Sequence, residues 1–122
     1  MNNPTIKISL LCVAATLLLS SCRFFNFYKE ANDKFADQHF KTAIAHIELF
    51  NTRHGHYPGS LDSLEFMGEW DAAIFQGIEY EKLDTEYRLN SKNSVLAGSN
   101  TSLSYPNEFW QGLGIKKSNV KN

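Results

Sequence analysis

The four histidines of this 122-residue chain, His39, His46, His54 and His56, fall within a single eighteen-residue stretch. Imidazole titrates near neutral pH and is a common metal ligand, so this clustering is the best chemical signal beyond residue 22. The spacing does not build a site by itself. On a helix His39 and His46 share a side but stand two turns apart, about 10 Å. That is too far to share one metal without help from another element. His54 and His56 belong to a turn. Neither HExxH nor a Cys/His pairing occurs. The four rings are therefore weak metal candidates, and no cofactor is expected. Serines and acids are plentiful, but GxSxG, a phosphate loop and a dinucleotide glycine pattern are all missing from the sequence. A serine, a histidine and an acid meeting only in space is left open. With no motif in so small a chain, the expectation is a protein that is not an enzyme.

Cysteine chemistry is confined to the first residues. Met1 to Lys7 is short and polar, and Ile8 to Leu19 is an apolar run of about a dozen residues, the length of a signal core and too short to span a bilayer. Leu19-Ser20-Ser21-Cys22 follows, with small residues before the cysteine. This order resembles the lipobox of bacterial lipoproteins. The resemblance implies cleavage before Cys22, a diacylglyceryl thioether on its sulfur, and an acyl chain such as palmitate on the new amino terminus. Several chains together anchor stably where one is marginal. Arg23 follows the cysteine, and in a host with two membranes the family pattern then implies the outer membrane, facing the periplasm. Cys12 would leave with the signal. Beyond residue 22 no thiol remains for a disulfide, a metal or a nucleophile.

What remains after a signal of residues 1–21 is about a hundred residues, enough for one modest core. The expected organisation is a lipidated stalk over 22–31, one globular domain over 32–115 and a polar tail over 116–122. The formal net charge is −1, so no nucleic-acid footprint is visible. The charge is uneven, however. Asp62, Glu65, Glu69, Asp71, Glu79 and Glu81 crowd one stretch, while Lys116, Lys117 and Lys121 lie near the end. The acids read either as a solvated face or as a docking surface for a basic partner.

The elements that position these residues follow from periodicity. Ala36, Phe40, Ala43, Ile44, Ile47 and Phe50 step by threes and fours and form one helical stripe. Asp37, Lys41, Glu48 and Arg53 mostly fall elsewhere. Gly55 suits a left-handed helix end, and Arg53 and His54 suit the negative end of the helix dipole. No glycine or proline interrupts Arg23 to His54, so the helix could begin near the anchor and run about 30 residues. Phe24-Phe25-Asn26-Phe27-Tyr28 reads either as a membrane-boundary belt or as part of the core. Pro58 stops the helix resuming, and Ser60 is placed to cap a short second helix carrying Leu61 and Leu64, closed by Gly68. Glu69 to Gly77 reads as an irregular or helical connection. Ile78–Leu83 and Tyr87–Asn90 alternate as a hairpin, with Tyr80, Tyr87 and Leu89 facing the main helix. Ser94–Ala97 and Ser102–Tyr105 read as two further strands. Phe109, Trp110 and Leu113 are expected to fold back on the body, and Ile115 onward to be loose.

A helix ending in a turn with Gly55, Tyr57 and Pro58, followed by Ser60, Leu61 and Leu64, resembles the globular part of pseudopilins. That resemblance implies an α+β fold, a long N-terminal helix packed on a small antiparallel sheet of three to four strands. It bears on fold and not on filament assembly, because pseudopilins carry a prepilin-peptidase site and a long membrane-inserting helix where this chain has a lipobox. The leading expectation is a lipid-anchored, non-catalytic interaction or structural module with an unknown envelope protein as partner. The alternatives are a periplasmic inhibitor or immunity lipoprotein that blocks a toxin or enzyme, and a histidine-based metal or ligand carrier.

Overall fold

The stripe from Ala36 to Phe50 is one face of a helix, and that face is the centre of the fold. The computed structural model describes residues 3–92 and 103–120. Helix α1 is Pro4–His54. The chain forms two compact units, Met1–Asn32 and Asp33–Asn122, and the class is α+β.

In the first unit α1 carries its apolar side chains outward. Ile6, Ile8, Leu10, Leu11, Val13, Leu17 and Leu18 are all between 55% and 73% exposed. Phe27, one ring of the aromatic stretch, is also exposed. Among the described residues no helix is long and apolar enough to cross a membrane.

In the second unit Phe40, Ala43, Ile44 and Ile47 of α1 are buried against Tyr57, Ile78, Tyr87, Leu89, Tyr105 and Val120. The helix stops at Gly55, whose N–H reaches Asn51 O at 2.8 Å. Its φ of +74° selects glycine on conformation alone, since a Cβ there would meet nothing within 4 Å. Tyr57 and Pro58 then turn inward and are buried.

The second helix expected after this turn is only a single 3-10 turn, Leu61–Ser63. Ser60 has the extended backbone of a cap but makes no side-chain capping bond. The chain cannot continue as a helix because Leu64 is extended and Phe66 sits in the left-handed region with φ 58°. Leu61 and Leu64 still pack together on the core. Gly68 opens an element rather than closing one. Its N–H donates to Asp71 Oδ2 at 2.6 Å, at the start of a 3-10 turn over Glu69–Ala73. Helix α2, Ile74–Gly77, follows at once, as the helical reading of this connection expects.

Strands β1, Ile78–Lys82, and β2, Tyr87–Ser91, form the expected antiparallel hairpin, with Tyr80 opposite Leu89 and Lys82 opposite Tyr87. Tyr87, Leu89 and Ser91 alternate onto the buried face. The third strand is β3, Ile115–Lys117, and it pairs parallel to β2. The sheet is therefore mixed, in the order β1-β2-β3, and not wholly antiparallel. The reason is the route of the chain. Residues 103–113 pass back over α1, with Trp110 edge-on to Phe40 and Tyr105 stacked on it. A crossing connection of that kind delivers a parallel strand. The strand expected at Ser94–Ala97 lies outside the described residues, as does Ser102. Leu103–Tyr105 contributes one bridge residue, Ser104, and not a strand.

The stretch from Ile115, expected to be loose, is part of the fold as far as Val120. Beyond β3, Asn119 uses its side chain as a strand would use its backbone. Its Oδ1 accepts from Ser91 N–H at 2.8 Å and its Nδ2 donates to Ser91 O at 2.7 Å. Val120 is buried in the core. Ser91 is only 2% exposed, so losing that amide strands a buried donor and a buried acceptor. Asn119→Ala should cost about 2 kcal/mol, read as a lower denaturation midpoint. Ser118→Ala, whose hydroxyl only accepts from Val120 N–H, should cost a fraction of that.

Candidate functional site

The two shoulders of the α1 stripe carry different chemistry. At about 100° per residue, Asp37, Lys41 and Glu48 fall together on one shoulder, and His46, Phe50 and Arg53 on the other.

On the first shoulder the polar groups hold the fold. Glu48 Oε1 accepts from Tyr87 Oη at 2.9 Å and from Gly114 N–H at 2.8 Å, while Oε2 accepts from Tyr57 Oη at 3.1 Å. One carboxylate thus ties α1 to the turn, to β2 and to the residue before β3. Gly114 has to be glycine here. A Cβ on it would lie 2.0 Å from the Tyr57 hydroxyl oxygen and 2.7 Å from a ring carbon. The three rings Tyr57, Tyr80 and Tyr87 pack as a cluster, with centroids 4.8 Å and 5.7 Å apart. Tyr80 Oη donates to Pro58 O at 2.6 Å. Asp37 accepts from Tyr105 Oη at 2.7 Å and from Lys41 Nζ at 2.9 Å. Burial opposes ionisation of Asp37, but the bonds from Lys41 and Tyr105 outweigh it and hold its carboxyl below the usual range.

On the second shoulder ionisable side chains meet a loosely buried segment. His46 Nε2 stands 3.7 Å from Asp71 Oδ2, and His54 Nε2 stands 3.5 Å from Glu65 Oε2. The Arg53 guanidinium lies over the Phe66 ring at 4.6 Å. His46, Leu49, Phe50, Arg53, Glu65 and Phe66 line a small crevice between them. Phe66 is 75% exposed and Trp70 90% exposed.

The residues singled out in the sequence are dispersed. Cys22 lies within α1 in the first unit. Cys12 is exposed on the same helix. His54 and His56 come within 6.1 Å of each other at the helix end, and the His56 ring nitrogen Nδ1 lies 3.1 Å from Tyr57 O. Among the described residues no group of three or more His, Cys, Asp or Glu gathers as metal ligands would. The acidic stretch is partly matched within the protein. Glu65 faces His54 and Asp71 faces His46. Glu79 accepts from Asn90 and Glu81 pairs with Arg88. Asp62 and Glu69 are exposed. Glu48, Asp37 and Asn119 carry the polar framework and were not among the residues that composition and motif point to. The signal for Glu48 is its place roughly 40° around the helix from Ile44, at the edge of the stripe instead of opposite it.

No relative is found. The chain matches no protein-family model, no curated protein and no solved structure.

Two outcomes test this framework. Glu48→Ala leaves two tyrosine hydroxyls and one amide without their acceptor and should cost about 3 kcal/mol or more. Gly114→Ala should cost a similar amount by displacing Tyr57, whereas Gly59→Ala, with open space around it, should be near neutral. The second outcome is alkaline. Burial, with a smaller contribution from Tyr57, pushes the Tyr80 hydroxyl up to about 12. Burial and then Glu48 push Tyr87 well up, and burial and then Asp37 do the same for Tyr105. A raised folded-state value stabilises fully below the ordinary value of 10.0 and is lost as pH climbs through about 12. Thermal midpoints should fall steeply across that window, with most of the rise in tyrosinate absorbance accompanying unfolding.

Proposed function

We propose that this chain is a lipid-anchored protein of the bacterial cell envelope, acting there as a non-catalytic interaction or structural module. The observation that carries this reading is the run Leu19-Ser20-Ser21-Cys22 placed directly after the apolar stretch from Ile8. Cys22 is the residue that takes the lipid. Two structural features support the reading. The apolar side chains of 6–18 are outward-facing on a unit distinct from the one that holds the core, as suits a segment meant for the membrane and the export machinery. In the second unit, large exposed rings at Phe66 and Trp70 offer the kind of aromatic surface that protein contacts use.

The test is metabolic labelling of bacteria with a clickable palmitate analogue. Wild-type protein should take the label and sediment with membranes. Cys22→Ala should lose the label and run at the size of the uncleaved precursor. In-cell crosslinking of the wild type should then recover one dominant envelope protein. An unlabelled wild-type chain would overturn the anchor, and a saturable turnover by the purified protein would overturn the non-catalytic role.

A further inference from the structure

We infer that the segment 65–71 is a pH-dependent clasp on the second shoulder of α1, closed when His46 and His54 are protonated and loosened when they are neutral. The inference rests on side-chain placement and stands apart from lipidation. His46 and His54 are eight residues apart on α1, and each meets a different carboxylate from the same short segment, Asp71 at 3.7 Å and Glu65 at 3.5 Å. A carboxylate facing a neutral imidazole gains no ion pair. Facing an imidazolium it gains one, and histidine is the side chain that makes this change between about pH 5 and 8.

Apart from the Arg53 guanidinium over the Phe66 ring, the segment is lightly held. Phe66 and Trp70 are largely exposed, and no residue of the preceding 3-10 turn is buried. Phe66 occupies a left-handed backbone conformation that residues with a Cβ avoid, so the closed arrangement is one the local chain does not favour alone. Only Met67 within the segment packs on the core.

The charges facing the two imidazoles fit this role. From the segment they are Glu65 and Asp71; from α1, Arg53, which is drawn over the Phe66 ring; from the turn, His56, whose ring centroid is 6.1 Å from that of His54. When the clasp loosens, the crevice lined by Leu49, Phe50 and Phe66 opens.

The experiment is hydrogen exchange on the full-length chain in detergent micelles, with intrinsic rates corrected for pH. Protection of the 65–71 amides should be about fivefold higher at about pH 5.5 than at about pH 7.5, from two partly exposed pairs of modest strength. His46→Gln combined with His54→Gln should abolish the difference, while His39→Gln should retain it. Glu65→Gln combined with Asp71→Asn approaches the same contacts from the other side and should also abolish it. Asparagine keeps an oxygen for Gly68 N–H, so this second pair stays informative if the histidine variant does not fold. Equal wild-type protection at the two pH values, or an undiminished difference in either double variant, would overturn the clasp.

Discussion

The Glu48 carboxylate is the constraint on which the second unit depends. It accepts from the turn through Tyr57, from β2 through Tyr87, and from the Gly114 backbone ahead of β3. Hydrophobic burial along the α1 stripe supplies the drive to collapse but is not directional. Apolar contact alone would leave the sheet free to slide along the helix. Three directed bonds to one charged group fix where each element must stop. A half-buried carboxylate is tolerable because both its oxygens accept from donors.

The two shoulders of α1 divide the work. The Asp37–Glu48 side is bonded to tyrosine hydroxyls, which stay neutral and donating across the whole physiological range, so its geometry is insensitive to conditions. The His46–Arg53 side meets the 65–71 segment through two histidine–carboxylate contacts and the Arg53 contact on the Phe66 ring. One helix thus presents a fixed seam to the sheet and a conditional seam to the 65–71 segment. The exposed aromatic rings belong to the conditional side.

The sequence made the helical stripe, the Gly55 stop and the Tyr80/Tyr87/Leu89 hairpin face legible, because each is a local rule of spacing or backbone conformation. The fold-back of Phe109, Trp110 and Leu113 was legible as an apolar cluster needing cover. The mixed sheet was not. A three-residue strand bearing two lysines has no periodicity to read, and its direction is set by the crossing of 103–113 over the helix. The second helix is cut to a single 3-10 turn after Ser60, where good capping chemistry is overruled by the extended Leu64 and left-handed Phe66 four and six residues on. Of the candidate site, the histidines and acids were visible as residue types. Their pairing was not, because His46 with Asp71 and His54 with Glu65 are neighbours only once the chain has turned at Pro58. Glu48 was hidden for a similar reason, two of its three donors, Tyr87 and Gly114, lying 39 and 66 residues away.

The fit of Gly114 against Tyr57 also closes a long loop of the chain. Glu48 and Gly114 are 66 residues apart, and the space a side chain would need at 114 is already filled by the tyrosine ring. Helix, turn and hairpin are close in sequence, whereas the strand that covers the other side of β2 comes from far along the chain. Such long-range closure is slow compared with local structure. Until it happens, the nascent domain exposes an unpaired strand edge, its most vulnerable surface to wrong pairing.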